Sequence, residues 1–202
     1  PAAAAPAPFG SRLRFGLIDN DKVRADNLFS AGSYGMIKGA RFYLAALVRR
    51  QEPRRWEDAG FALEAAVLQA TALGLGSCWI GGVFDRKRFG RVLGMENGEQ
   101  LPAVIALGFA AERPTWRDRL VRWGAKGDRR KPPGELFFSG GWDSPLEGAA
   151  AWNGALEGVR LAPSASNKQP WRIVRLGGAF HFHLARDKAY SGDNASGNQI
   201  TA

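Results

Sequence analysis

Between Ala162 and Arg172 the chain reads Ala-Pro-Ser-Ala-Ser-Asn-Lys-Gln-Pro-Trp-Arg. Ser164, Ser166, Asn167 and Gln169 supply short donors and acceptors, the equipment for gripping a flat heterocycle by its edge carbonyls and ring nitrogens. Pro163 and Pro170 restrict the backbone that presents them, while Lys168 and Arg172 add positive charge. The same residues also suit a polar turn whose side chains satisfy their own backbone. Spacing alone leaves both readings open.

Other chemistry finds little support. Cys78, the single cysteine, reads as a small buried side chain rather than a reactive thiol. His181 and His183 alternate with Phe180, Phe182 and Leu184, which places both on the less buried face of a strand, and two histidines without a third ligand make a poor metal site. Glu57, Asp58 and Glu64 fit helix-start or surface roles, with no carboxylate pair marked for matched acid and base duties. A chain so poor in catalytic side chains suits an enzyme whose bound organic cofactor carries the electron chemistry, so no catalytic residue is assigned.

The elements that must position the loop can be read on either side of it. Ser144-Pro145-Leu146-Glu147 has the form of a capping box with proline at the first helical position, which predicts a helix from Pro145 to about Leu161. Leu146, Ala149, Ala150, Leu156 and Arg160 share one face of it, with Asn153 as a polar interruption that hints at a site. Pro163 closes this helix by disfavouring helical geometry at Ala162. After the loop, Trp171 to Leu176 and Phe180 to Leu184 read as strands joined by a tight turn at Gly177-Gly178.

Earlier in the chain, Leu13, Phe15 and Leu17 alternate with polar or small residues as in a half-buried strand, and Ala40 to Val48 is an apolar run suited to a central strand. Trp56 to Leu75 is apolar on nearly every side and predicts a buried helix, with Glu57 and Asp58 favourably placed in its first turn and Gly74 and Gly76 at its exit. Ser77 to Gly82 is too glycine-rich for an ordinary strand and suggests close packing against its backbone. Asp85 caps a short basic helix through Leu93, Val104 to Leu107 is a buried strand, and another short helix starts at Thr115. The segment from Gly124 to Gly141, with its anchors Leu136, Phe137 and Phe138, reads as a crossover rather than a linker.

At 202 residues and 45% hydrophobic content the chain can bury one sizeable core. The expected organisation is a flexible tail over 1–10, one domain over 11–186 and a polar tail over 187–202. A net charge of +9 suits an anionic partner or a solvated surface, and without a recognition motif or a dense basic stripe nucleic acid is not the expected partner. The lone cysteine excludes an internal disulfide framework and fits a reducing compartment, so the expected location is cytoplasmic. No apolar run reaches the roughly 18 residues of a membrane span.

The residues from Ala162 to Arg172 closely resemble the flavin-binding PSxxNxQPW segment of the nitroreductase family. Asp58 to Gly82 resembles that family's long central helix and glycine-rich exit, and Leu101 to Pro114 its following strand and turn. The motif comes after the helix rather than before it, an order that resembles the subgroup in which one chain holds two related halves and imitates the usual dimer. The resemblance covers roughly Leu13 to Arg186. It implies an α+β nitroreductase-like fold, a central sheet flanked by helices in a single-chain pseudo-dimer, binding FMN between its halves.

The implied activity is a flavoprotein oxidoreductase in which NADH or NADPH reduces the flavin, and a nitroaromatic, quinone or similar small oxidant takes the electrons. Carried over, Ser164, Ser166, Asn167 and Gln169 contact the flavin, and Ile80, Gly81 and Gly82 bring their backbone close to its ring. Arg129, Arg130 and Lys131 resemble the basic cluster that faces the FMN phosphate, although a solvated charge run reads equally well. The chain is expected to work as a monomer acting as a pseudo-dimer or as a homodimer. Two departures are plain. Ser11-Arg12-Leu13-Arg14 is only a superficial echo of the family's opening RRSxRxF phosphate anchor and reads as the start of a strand, and no apolar segment follows the hairpin. With the missing first methionine, these departures imply a processed or incomplete chain with weakened FMN affinity or, as the alternative function, a flavin-binding module without turnover.

Overall fold

The computed structural model describes residues 7–20, 39–81, 84–110 and 129–187. The fold is α+β, as the sequence suggested, and the chain divides between Asp118 and Arg119 into two compact units, each with its own sheet. The expected helix from Thr115 lies outside the described residues, as do the ends of the chain at 1–6 and 188–202.

The first unit is built on β1 (Leu13–Asp19), β2 (Phe42–Arg49), α1 (Arg55–Ala72), β3 (Gly76–Ile80), α2 (Arg86–Val92), β4 (Glu99–Gln100) and β5 (Val104–Gly108). Its sheet runs β1-β2-β5-β3 with antiparallel neighbours, and the short β4 also pairs with β2. The apolar run of β2 is explained by burial on both faces. Tyr43, Ala45 and Leu47 pack with Phe89 of α2, while Ala46 and Val48 pack with Ala59 and Leu63 of α1. Each large side chain buried in this way contributes about 1.5–3 kcal/mol. Phe89 meets Tyr43 and Phe84 edge-on, at 5.3 and 5.5 Å between ring centroids.

Three expectations for this unit are corrected. Helix α1 is buried on only one side, with Phe61 and Leu68 exposed, because only the stripe with Ala59, Ala62 and Leu63 meets the sheet. Residues 76–80 form a genuine strand: Gly81 and Gly82 come after its end, and Gly76 alone stands inside it. Close packing is found at Gly76, one residue ahead of the stretch expected to show it: a Cβ there would stand 3.3 Å from the backbone of Ala110. Cys78 is exposed rather than buried, because it lies on a terminal strand of the sheet; protein packed around it still disfavours the thiolate and moves the thiol pKa upward.

Several local signals succeed. Gly74 closes α1 in the left-handed conformation at φ +77°, with Leu75 N–H donating to the Ala70 carbonyl at 2.9 Å. The Asp85 carboxylate caps α2 by accepting from Arg88 N–H at 3.0 Å. In β1 the alternation is real but its better-buried residue is Ile18, while Phe15 and Leu17 are exposed. Arg14, itself partly exposed, is held by the buried Glu99, whose carboxylate accepts from Nε at 2.9 Å and Nη2 at 2.5 Å, and by the carbonyls of Leu93 and Gly94. This is a structural arginine, in keeping with its reading as part of a strand.

The second unit contains β6 (Phe137–Ser139), α3 (Asn153–Leu161), β7 (Trp171–Leu176) and β8 (Ala179–Leu184). β6 and β7 pair in parallel and β7 and β8 form the expected antiparallel hairpin, turning at Gly177 with φ +57°. Leu136, Phe137 and Ile173 form the core, with Leu146, Leu156 and Val159 packed against it. The helix expected from Pro145 starts only at Asn153. Pro145 instead bridges to Phe138, Leu146 N–H donates to the Phe137 carbonyl at 3.0 Å, and Gly148 turns left-handed at φ +66°. Pairing with β6 therefore overrides the local capping signal. Among the described residues no helix is long and apolar enough to cross a membrane.

Candidate functional site

The polar loop after α3 owes its shape to Pro163, which ends the helix with Ala162 in an extended conformation at φ −52° and ψ 147°. A single 3-10 turn over Ala165–Asn167 follows, and Ser166, Asn167 and Gln169 all adopt positive φ, at 50°, 52° and 48°. These are the only non-glycine residues with positive φ among the described residues. Left-handed geometry costs such residues roughly 1–2 kcal/mol each, so something in the surroundings must hold them there.

The hydrogen bonds show what holds them. Ser164 Oγ accepts from Gln169 N–H at 2.9 Å, and the Ser164 carbonyl accepts from Asn167 N–H at 2.9 Å. Asn167 Nδ2 donates to the Arg129 carbonyl at 2.8 Å, and Asn167 Oδ1 accepts from Arg130 Nη1 at 3.1 Å. Gln169 Oε1 accepts from Lys131 N–H at 2.7 Å, and its Nε2 donates to the Arg129 carbonyl at 3.2 Å. Seven of the residues singled out in the sequence, Arg129, Arg130, Lys131, Ser164, Ser166, Asn167 and Gln169, thus come together although some 35 positions separate the two stretches.

Charge accumulates at the same place. The Lys131 ammonium titrates below its ordinary range, first because it is partly desolvated and then because Arg172 and Lys168 stand near it, with Glu135 opposing. Partial burial also lowers the Arg172 guanidinium, again against Glu135. Lys168 pairs with Asp187 at 2.9 Å. Partly desolvated cations, with Arg172 and Lys168 standing near Lys131, form a receptive setting for an anion.

Ile80 and Gly81 belong to the first unit, and Gly82 lies outside the described residues. One residue that the sequence gave no reason to select controls this stretch. Arg86 donates to the carbonyls of Gly81, Leu101 (3.2 Å) and Pro102 (3.1 Å), and its guanidinium lies 4.4 Å from the centroid of the Phe84 ring. It fixes the path of the chain leaving β3. Asp58 was also more than a helix-start charge: it is fully buried, and its two oxygens accept from Phe9 N–H and Ser11 N–H, each at 2.8 Å.

His181 and His183 are exposed, and His183 meets Trp142 edge-on at 4.9 Å. Among the described residues no group of three or more His, Cys, Asp or Glu could hold a metal ion. Asn153 lines an open groove of about 500 Å³ with Pro133, Phe137, Leu146 and Leu156, and none of the loop residues lines it.

A family model described as "Putative TM nitroreductase" matches residues 12–190. Among solved structures, a Thermotoga maritima protein described as a putative nitroreductase is 21% identical, with 91% of this chain and 71% of that chain covered and a TM-score of 0.47. An FMN-dependent nitroreductase from Clostridium difficile is 25% identical over 51% of this chain and 66% of that one, with a TM-score of 0.43. A nitroreductase family protein from Clostridium novyi is 21% identical over 50% and 62%, with a TM-score of 0.41. The chain therefore spans slightly less than two thirds of either clostridial protein. No curated protein matches.

Proposed function

From the premise that this chain belongs to the nitroreductase family, whose model covers residues 12–190, we propose that it is an FMN-dependent oxidoreductase using NADH or NADPH. Bound FMN would supply reversible two-electron chemistry, accepting hydride from the nicotinamide and passing electrons to a nitroaromatic, quinone or similar small oxidant. The observation that carries the reading is the convergence of the Ser164–Gln169 loop with Arg129–Lys131 in a strained, cation-rich cluster. Strained backbone concentrates at functional sites, and here it occurs inside the segment that resembles the family's flavin-binding motif.

The residues present fit the anionic end of the cofactor. A phosphate near Lys131 and Arg172 would offset the desolvation and, after it, the repulsion that together depress the lysine, through charge-assisted hydrogen bonds. Ser164, Ser166, Asn167 and Gln169 form the loop that would orient the cofactor, and Arg129, Arg130 and Lys131 would hold its phosphate end. Ile80, Gly81 and Gly82 would present backbone to the ring, where absent or small side chains permit close approach. The protein's contribution to rate is placement of the two reactants and donors aimed at developing charge. We read the chain as the single-chain form of the family, its two related halves standing for the usual dimer, and place it in the cytoplasm.

Flavin binding without turnover is the second reading, and one observation favours it. Arg14, nearest in position to the family's opening phosphate anchor, is committed to Glu99. The two readings separate on adding NADPH or NADH to the FMN-loaded protein, which oxidises the nicotinamide only under the first. Asn167→Ala removes the side chain that joins loop to basic segment, and a roughly tenfold weaker FMN affinity is expected, equivalent to about 1.4 kcal/mol. An unchanged affinity contradicts the assignment of this loop.

A further inference from the structure

Gln169 is 4% exposed, and the structure accounts for each of its hydrogen-bonding groups. Its backbone N–H donates to Ser164 Oγ at 2.9 Å, and its carbonyl accepts from Arg172 Nη1 at 3.0 Å. Its side-chain oxygen accepts from Lys131 N–H at 2.7 Å. The side-chain nitrogen faces three acceptors: the Arg129 carbonyl at 3.2 Å, the Asn167 carbonyl at 3.3 Å and Asn167 Oδ1 at 3.2 Å. An amide offers two donor hydrogens and one acceptor oxygen, so little capacity is left for a bound molecule.

We propose that Gln169 is a positioning residue rather than a cofactor ligand: its buried amide locks the Ser164–Asn167 turn to the Arg129–Lys131 backbone and so sets where Asn167 and the cations stand. The proposal rests on the FMN reading above for what the lock serves, whereas the lock itself is a property of the protein without cofactor. Three features make the side chain fit this task. It reaches both stretches at once, with the oxygen on Lys131 and the nitrogen facing both Arg129 and Asn167. It sits at positive φ, where its own backbone strain must be offset by bonds of this kind. It is also buried, where a severed bond leaves a polar group without water.

Leucine at this position approximates the volume and removes both donor and acceptor. Glutamate keeps the acceptor for Lys131 N–H and, when ionised, loses the donors to Arg129 and Asn167. The test measures amide hydrogen exchange of Lys131 by NMR in the cofactor-free protein, and FMN affinity by fluorescence quenching, for wild type, Gln169→Leu and Gln169→Glu. The lock predicts that Lys131 N–H exchanges at least tenfold faster in Gln169→Leu but stays protected in Gln169→Glu, with β2 and β5 amides unchanged in both. It also predicts that both variants bind FMN about tenfold more weakly.

Weaker FMN binding with Lys131 exchange unaltered in Gln169→Leu would make Gln169 a direct ligand and overturn the proposal. Faster exchange with FMN affinity unchanged would also overturn it, since the lock would then position nothing that the cofactor needs. If wild type itself binds no FMN, the function proposed above fails, and the exchange measurements decide the lock independently.

Discussion

Replacing Arg14 by methionine keeps much of the aliphatic stem and deletes the guanidinium that pins β1 to the turn before β4. The change removes two charged hydrogen bonds to Glu99, at 2.9 and 2.5 Å, and two bonds to the carbonyls of Leu93 and Gly94, both at 3.0 Å. Charged hydrogen bonds contribute about 1.5–3 kcal/mol each, but the Arg14 side chain is 40% exposed, so the gain is reduced by competition with water. The Glu99 side chain is 4% exposed and would remain as a buried carboxylate without its main partner. A loss of about 3 kcal/mol at neutral pH follows, roughly a hundredfold in the unfolding equilibrium.

The pH dependence has a definite sign. Arg14 holds the Glu99 carboxyl below its ordinary range, chiefly through the side-chain hydrogen bond and against desolvation. A carboxylate depressed in the folded state stabilises above its unfolded pKa of about 4.3, and this stabilisation is lost as pH falls through the folded value. The difference between wild type and Arg14→Met should therefore shrink below about pH 4. Native-state hydrogen exchange of β1 and β2 amides at increasing urea reads the stability of this unit directly. A loss below about 0.5 kcal/mol at pH 7, within the range of an ordinary surface substitution, would refute the reasoning, as would a difference that persists undiminished at pH 3.5.

Asp58→Asn leaves both part-buried N–H groups of Phe9 and Ser11 without a charged acceptor, and one of them facing an NH2 group with no acceptor. It should cost about 2 kcal/mol and release those two amides to faster exchange. Ser166→Gly relieves backbone strain at φ 50°, so the second unit should melt slightly higher, by up to about 1 kcal/mol in stability, while FMN affinity falls; calorimetry with and without FMN checks both signs. Gly148→Ala places a side chain at φ +66° and should destabilise the same unit by about 1–2 kcal/mol, measurable as a lower urea midpoint.

The parts of the fold legible in the sequence were those governed by local chemistry or by one long apolar run. Asp85, Gly74, Pro163 and Gly177-Gly178 each act within a few residues, and β2 declares its burial by being apolar at both alternating positions. The helix expected from Pro145 failed because its capping signal competes with pairing to β6, a contact that no local pattern records. Helix α1 looked buried all round because composition does not tell which stripe meets a sheet.

For the candidate site, the motif and the basic run were visible separately. Their union depends on folding across some 35 positions, and it shows that the loop's amides hold the protein to itself. The role of Arg86, and that of Asp58 beyond a helix-start charge, escaped notice for a related reason. An arginine binding three carbonyls and an aspartate binding two amides look like any surface charge until the backbone they serve has been placed.

The central claim meets its most direct test in the visible absorption spectrum of the chain after FMN addition and desalting, followed by anaerobic NADPH and NADH. The account predicts retained yellow flavin that bleaches with at least one of the two reductants and recovers its colour on addition of a quinone or nitroaromatic. Protein that emerges colourless at micromolar concentration, or yellow protein that neither nicotinamide bleaches, would contradict it.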